Sequence, residues 1–308
     1  MALKAGARRD ESHRLRAQAD AIAAALPPLL VPAHRPAAAT GLGSHGRRRA
    51  GIGDSFWQFR VYSSDDTPQA IDWRQSGKVD QIYVREREWV TSQTAVLWCD
   101  TSPSMRYRSD AKFPAKAERA AVMTLAIAQL LIDGGERIVR VTGDGRQQRA
   151  ASAGRLAVGQ MADAIAAELL EEKPAKVPEV PRFDSLPRNA AMVLFSDFLG
   201  PLDDIGGMVR AVAHKGIVGH MMQILDPAEE SLPFEGRVRF VGMENEGATV
   251  IDRTEDARAQ YMERLAAHRA GLKALAAAAG WTFAVHHTGN SPQLAVAALH
   301  NAITGHRR

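Results

Sequence analysis

The strongest constraint on the fold of this chain is a repeated alternation of short apolar runs with amphipathic segments, which begins at Thr94. The first run, residues 94–99 (TAVLWC), is apolar without alternation, as in a parallel strand that is covered on both faces. Residues 116–132 follow with an apolar stripe at helical spacing. Strands that alternate with helices predict a doubly wound, mostly parallel α/β sheet with helices on both faces.

The same alternation continues to the end of the chain. Further strands are predicted over residues 137–141, 190–195, 217–224 and 281–286, and helices over residues 155–171, 202–214, 255–278 and 292–303. Two short strands around a turn are predicted within residues 236–251. We therefore assign residues 93–308 to one α/β domain.

Two smaller regions precede that domain. Residues 1–53 hold a predicted helix over residues 10–25, which ends before Pro27, and then an irregular basic loop. Residues 54–92 hold two predicted strands, over residues 56–62 and 81–90, and are interpreted as a small β-rich attachment.

Composition narrows the class of protein. Of the 308 residues, 45% are hydrophobic and 24% charged, which is typical of a globular protein with a core. The single cysteine, Cys99, excludes an internal disulfide framework and a cysteine zinc site. A net charge of +4 permits an acidic partner without requiring nucleic acid. The sequence shows neither a signal-peptide pattern nor an apolar run of about 18 residues, so we expect a cytoplasmic protein without a membrane span.

Polar residues follow two of the predicted strands at the point where each strand ends. Asp100, Ser102 and Ser104 come after the strand that ends at Cys99, and Asp197 comes after the strand that ends at residue 195. Open α/β sheets bind ligands beyond the carboxyl ends of their strands, so these side chains are expected at one edge of the sheet. Helix caps and turns also favour Asp and Ser, which is the competing structural interpretation.

The spacing Asp-x-Ser-x-Ser suits a hard divalent cation. Asp100 supplies charge, and the two hydroxyls can point the same way from a tight loop. Since hydroxyls are neutral, the ion stays electrophilic and can accept a carboxylate from a partner. Asp197 adds a direct or water-mediated ligand, and the predicted ion is Mg²⁺ or a similar cation.

An ordered set of short motifs precedes and includes this loop, and through it the chain resembles the bacterial "domain of unknown function 58" family, which contains a von Willebrand factor A-like domain. The motifs are GIGDSF, FRVY, an acidic turn, IDWRQS, IYVRERE and DTSPSM. The matching residues are Arg60, Tyr62, Asp66, Ile71, Asp72, Trp73, Arg74, Val84, Arg85 and Glu86.

This resemblance implies a function in protein interaction. Members are often encoded beside MoxR-type AAA+ ATPases and are thought to act with them as adaptor or chaperone-like components. The metal loop of the von Willebrand A fold, a metal-ion-dependent adhesion site, binds proteins and is not catalytic. The fold also carries a metal-contacting threonine, but residues 147–159 of this chain offer only Ser152, so two alternatives stay open, a weakened cation site and a vestigial one that holds no ion. Asp65 and Gln69 also depart from the family pattern, which commonly has Gly and often Arg there.

The signature residues Arg60, Asp66, Asp72 and Arg74 allow two interpretations. They could form a functional surface, or they could form an ion-pair network that holds the β-rich attachment in place. The structural interpretation is favoured because such clusters mostly serve packing and turns. The five tryptophans are expected in the core or at contacts between regions, and His286 and His287 at the surface.

Two other functions stay open. A metal-dependent phosphoester hydrolase would use Asp100, but Ser102 stands where a second aspartate is needed and no general base is evident. A nucleic-acid-binding protein would use Arg47 to Arg49 and the C-terminal His306-Arg307-Arg308, without support from a known motif. We therefore expect a protein without enzymatic activity and assign no catalytic residue.

Overall fold

The computed structural model describes residues 2–32, 56–62, 71–78, 81–87, 93–142, 152–171, 181, 183, 186–187, 190–244 and 247–305. Its contacts divide the chain into two compact units. The larger unit comprises Met1–His34 and Gln93–Arg308, and the smaller unit is Arg35–Ser92. The predicted N-terminal region, residues 1–53, is thus shared between the two units.

The secondary structure follows the predicted alternation closely. The strands are β1 (Phe56–Val61), β2 (Tyr83–Arg87), β3 (Thr94–Cys99), β4 (Arg137–Val141), β5 (Ala191–Ser196), β6 (Val218–Leu225), β7 (Val238–Val241), β8 (Ala248–Ile251) and β9 (Thr282–His287). The helices are α1 (Ala2–Ala23), α2 (Trp73–Ser76), α3 (Lys116–Asp133), α4 (Arg155–Leu169), α5 (Leu202–Ala213), α6 (Pro227–Ser231), α7 (Thr254–Ala278) and α8 (Pro292–Gly305), with a 3-10 helix over Ser104–Arg106.

The larger unit is built on a five-stranded sheet in the order β4-β3-β5-β6-β9, in which all neighbours are parallel. Alternate residues of β3 face opposite sides, as the strand period requires. Leu97 belongs to the core cluster beneath α1, α3, α4 and α8, whereas Trp98 belongs to the cluster beneath α5 and α7. The prediction of a doubly wound α/β fold is confirmed.

The strand order reverses at β3, and this reversal creates a natural binding position. The chain passes from β3 to β4 on one side and later places β5 on the other side. Neighbouring connections then leave in opposite directions, so a crevice opens beyond the carboxyl ends of β3 and β5. Asp100 and Asp197 are the residues that follow these two strands.

Helix α1 packs into the larger unit. It starts earlier than predicted, at Ala2, and buries Leu15, Ala19 and Ile22 against α3 and α4. The hydroxyl of Ser12 donates to Asp163 Oδ1 at 2.6 Å, which ties α1 to α4. The sequence pattern predicted the apolar face but did not indicate where it docks.

In the smaller unit, β1 and β2 pair antiparallel. The short helix α2 was not predicted. Its N-cap is Asp72, whose Oδ1 accepts from the Gln75 amide at 2.9 Å, while the Ser76 hydroxyl accepts from the Tyr83 amide at 2.9 Å. The second of these bonds attaches α2 to the start of β2.

The tryptophan prediction is correct for two residues and wrong for a third. Trp98 and Trp281 are buried. Trp281 packs directly on Gly219, where an added Cβ would lie 2.2 Å from the indole ring. Trp73 is 68% exposed because it opens α2, a helix with no buried residue. The side chains of Trp57 and Trp89 lie outside the described residues.

None of the helices in the described part of the chain is both long and apolar enough to span a membrane.

Candidate functional site

The two predicted strand ends do meet at one edge of the sheet. In the β3–β5 register Cys99 lies opposite Phe195, and the Asp100 amide donates to the Phe195 carbonyl at 2.9 Å. Asp197 follows one residue beyond the end of β5. The backbone of the sheet therefore places both aspartates beyond the point where the strand order reverses.

Asp100 is buried, and both of its carboxylate oxygens accept hydrogen bonds. Oδ1 accepts from the Ser102 amide at 2.9 Å, and Oδ2 accepts from the Ser196 hydroxyl at 2.6 Å. These two bonds fix the orientation of the carboxylate. Ser196 was not among the predicted site residues, although its position directly before Asp197 was a usable signal.

The two loop hydroxyls converge as the spacing predicted. Ser102 Oγ and Ser104 Oγ lie 3.1 Å apart and share a hydrogen bond. Ser104 opens the 3-10 helix, and that turn brings its side chain back beside Ser102. Two neutral oxygens thus lie next to the buried carboxylate of Asp100.

These groups line a pocket of about 100 Å³. Its polar lining consists of Asp100, Ser102, Ser104, Ser196, Asp197 and Glu244, and its apolar wall is formed by the chain after β5 and by α5. The pocket unites all four of the predicted metal-ligating residues. Its volume is enough for a small ion and a few water molecules.

The wall of the pocket contains a residue in an unusual backbone conformation. Phe198 has a φ of 48°, in the left-handed region that side chains other than glycine rarely adopt. Its amide donates to Ser196 Oγ at 3.1 Å, its carbonyl contacts His268 Nε2 at 2.6 Å, and its ring packs on Trp98. Such conformations are retained where the surroundings enforce them and often mark functional sites.

Burial raises the pKa of Asp100 to about 6, and the negative charge of Asp197 adds to the rise. The hydrogen bonds from Ser196 and Ser102 act in the opposite direction. A divalent cation in the pocket would favour the ionised carboxylate and so lower this pKa. The pocket is therefore a place where positive charge is stabilising.

Lys116, the first residue of α3, already brings one positive charge to this region. Its side chain is 1% exposed, and Nζ donates to Asp197 Oδ2 at 2.9 Å and to Glu229 Oε1 at 2.5 Å. Burial lowers the pKa of Lys116, but the two carboxylates outweigh burial and raise it above its ordinary value. The sequence pattern predicts Lys116 only as the first residue of a helix, since no local pattern relates it to Asp197.

Glu244 reaches the pocket from the turn between β7 and β8. The Ser104 amide donates to Glu244 Oε1 at 3.4 Å, a long hydrogen bond. This carboxylate was also missed, because it follows a short edge strand and its approach to Ser104 depends on how the hairpin folds back.

The oxygen donors of the pocket are of the type that binds a hard cation, and their small number suits weak binding. Within the described residues, no three His, Cys, Asp or Glu side chains assemble as a metal-binding group. A cation here would rely on the Asp100 carboxylate, the two hydroxyls, Asp197 and water, a set that suits Mg²⁺. Ser152, the one residue with a hydroxyl within residues 147–159, forms a backbone β-bridge with Ile138 of β4 and does not line the pocket.

The signature residues lie in the smaller unit, apart from this donor set in the chain. Asp72 serves as a helix cap, Tyr62 is half-buried and Arg74 is exposed on α2. Arg60 lies on β1 and Arg85 on β2, one register position apart. Asp66 lies outside the described residues, as do Arg47 to Arg49 and the last three residues, which the nucleic-acid alternative invoked.

The prediction of two surface histidines is wrong for His286. This residue is buried, and desolvation together with the nearby charge of Arg119 lowers its pKa to about 4. His287 is partly exposed and contacts Glu230 Oε2 at 2.9 Å. Neither residue lines the pocket.

The model of the family described as "Protein of unknown function DUF58" matches residues 58–271, well over half of the chain. The chain belongs to the DUF58 family. The match covers both units and includes the pocket residues Asp100, Asp197 and Glu244, so the pocket lies inside the family's shared region. DUF58 is a family of unknown function.

Several solved structures are similar to this DUF58 chain, two of them from Bacteroides species. BatB from Bacteroides thetaiotaomicron is 16% identical, and the match covers 70% of this chain and 98% of BatB with a TM-score of 0.41. An aerotolerance-related membrane protein from Bacteroides fragilis is 15% identical, with coverage of 70% and 100% and a TM-score of 0.41. No curated protein matches the chain.

Proposed function

We propose that this DUF58 protein is a non-enzymatic interaction module that binds a divalent cation, Mg²⁺ in the first instance, and uses the ion to capture a carboxylate of a protein partner. The observation that carries this proposal is the convergence of Asp100, Ser102, Ser104 and Asp197 in one pocket. That pocket lies where the strand order reverses, the position at which open α/β sheets bind ligands.

The chemistry of the donors supports protein binding in preference to catalysis. Two of the oxygens are neutral hydroxyls, so a divalent ion keeps part of its charge uncompensated and attracts a further carboxylate. The two aspartates are already engaged, Asp100 by Ser102 and Ser196, and Asp197 by Lys116, and Glu244 accepts from the Ser104 amide. A general base directed at a substrate is therefore not evident among the pocket residues.

The partner that we propose is a MoxR-type AAA+ ATPase, and the larger unit would be a von Willebrand factor A-like domain with a metal-ion-dependent adhesion-type loop. Both suggestions rest on the resemblance of the motifs, including DTSPSM at residues 100–105. In this proposal the DUF58 chain is an adaptor that works in the cytoplasm.

The test measures binding of the purified protein to a MoxR-type ATPase encoded in the same genome. Asp100→Ala removes the charged ligand and is expected to abolish binding in the presence of Mg²⁺. Asp110→Ala is the matched control because Asp110 is an exposed aspartate on the same loop. AAA+ ATPases need Mg²⁺ for their own nucleotide, so a chelator would disturb the partner as well. The comparison of these two variants therefore tests whether a cation in the pocket mediates binding.

If Asp100→Ala binds the ATPase as tightly as Asp110→Ala does, the cation-mediated interaction is refuted.

A further inference from the structure

A feature that a simple cation site does not need lies directly beside the pocket, namely a buried ammonium group bonded to Asp197, one of the carboxylates that line the pocket. Lys116 Nζ lies 2.9 Å from Asp197 Oδ2, and its side chain is 1% exposed. A buried lysine is costly unless it is paired, so this contact is a specific arrangement and not a solvated surface pair.

The ammonium group is shared between two carboxylates. Glu229 Oε1 lies 2.5 Å from Nζ, and the other oxygen of Glu229 accepts from the Asp226 amide at 2.8 Å in the capping box of α6. Helix α6 thus holds Glu229 in place, and Glu229 in turn draws part of the positive charge away from Asp197. Lys116, Asp197 and Glu229 thus form a cluster of one positive and two negative charges beside the pocket.

We propose that Lys116 is a built-in counter-ion of the pocket, a positioning residue that acts through Asp197 and sets how strongly the pocket attracts a divalent cation. This inference rests on the proposed function. The lysine neutralises one of the two aspartates and repels an incoming cation, so the chain alone holds the ion weakly. Tight binding then requires the carboxylate of a partner.

The inference predicts affinity changes of opposite sign for two substitutions. Lys116→Gln removes the competing positive charge and is expected to tighten Mn²⁺ binding on the order of tenfold. Glu229→Gln leaves the ammonium to Asp197 alone and removes a negative charge, so Mn²⁺ binding weakens several-fold. Gln at this position keeps the capping box of α6. A purely structural role would impair binding in both variants or in neither.

The experiment is a titration of the full chain with Mn²⁺, followed by calorimetry, on the wild type and both variants. Lys112→Gln is the matched control, since Lys112 is an exposed lysine on the loop before α3. Lys116→Arg retains the positive charge, so its Mn²⁺ affinity is expected to stay below that of Lys116→Gln. Circular dichroism establishes that each variant is folded.

The outcomes separate this inference from the proposed function. Suppose that Asp100→Ala abolishes Mn²⁺ binding, whereas Lys116→Gln and Glu229→Gln leave the affinity unchanged or alter it in the same direction. This result overturns the proposed role of Lys116 but not the cation site itself. If Lys116→Gln fails to fold, Glu229→Gln decides, and an unchanged affinity there overturns the role of Lys116. Absence of Mn²⁺ binding to the wild type and to folded Lys116→Gln overturns both proposals.

Discussion

The Asp100 side chain is buried, and its surroundings disfavour the ionised form of its carboxylate. Burial and the neighbouring charge of Asp197 raise its pKa to about 6, although Ser102 and Ser196 donate to its oxygens. An acid whose pKa is higher in the folded state holds its proton more tightly there. It therefore costs stability as the pH rises from 3.8, the ordinary value, through about 6. Such a cost is expected of a group that is kept for a ligand.

Asp100→Asn tests that cost directly. The asparagine oxygen can still accept from the Ser102 amide, but the buried charge is gone. At pH 7 in chelator the variant is expected to be more stable than the wild type, by up to about 3 kcal/mol. The advantage shrinks as the pH falls from about 6 to below 4, because wild-type Asp100 then becomes protonated. Urea unfolding at pH 7 and pH 4 measures the difference, and a variant less stable than the wild type at pH 7 contradicts the account.

The four cation-ligand candidates could be predicted from sequence, whereas their neighbours could not. Asp100 and Asp197 each follow an apolar run, and parallel strands bring their carboxyl ends together, so local pattern was enough. Lys116 and Asp197 are separated by 81 positions. Their contact depends on how α3 is placed against β5, which no local pattern encodes. The capping box Asp226 to Glu229 did carry a readable signal for α6.

At the scale of elements, strands of the central sheet were the easiest to predict. The bounds of β3 and β4 agree with the prediction, and those of β5, β6 and β9 differ by one residue at each end. Where a strand is a continuous apolar run bounded by polar residues, the sequence leaves little choice in where the strand begins and ends. The short helices α2 and α6 and the 3-10 helix were missed because three to five residues are too few for the helical pattern of apolar residues to repeat.

Helix α1 is expected to contribute to the stability of the larger unit. Leu15 is fully buried where α1 meets α3 and α4, so Leu15→Ala leaves a cavity and should lower the free energy of unfolding by about 3 kcal/mol. Arg9→Ala, on the exposed side of the same helix, should change it by less than about 0.5 kcal/mol. Urea denaturation of both variants measures the difference, and equal stabilities would show that α1 is dispensable.

The β7–β8 hairpin is expected to contribute to cation binding through Glu244. Glu244→Gln removes a negative charge from the pocket, so Mn²⁺ affinity should fall several-fold, on the order of 1 kcal/mol. Glu263→Gln, an exposed change of the same kind on α7, serves as the control and should leave the affinity unchanged. Calorimetric titration compares the two, and equal affinities would remove Glu244 from the site.

At the scale of the whole molecule, the family match extends over both compact units, from residue 58 to residue 271. The candidate pocket belongs to the larger unit, and the resemblance motifs from Arg60 to Glu86 belong to the smaller one. The sequence predicted both parts, yet it did not predict that the first helix joins the larger unit. That assignment depends on contacts more than 100 positions apart, such as Ser12 with Asp163.

Anomalous X-ray scattering from crystals of the protein grown with Mn²⁺ would show whether the pocket binds a divalent cation. We expect a peak within about 2.3 Å of an Asp100 carboxylate oxygen and of the hydroxyls of Ser102 and Ser104. Crystals of Asp100→Ala should lack this peak. A wild-type pocket without a peak at saturating Mn²⁺, or with a peak only at other positions, would contradict cation binding in the pocket.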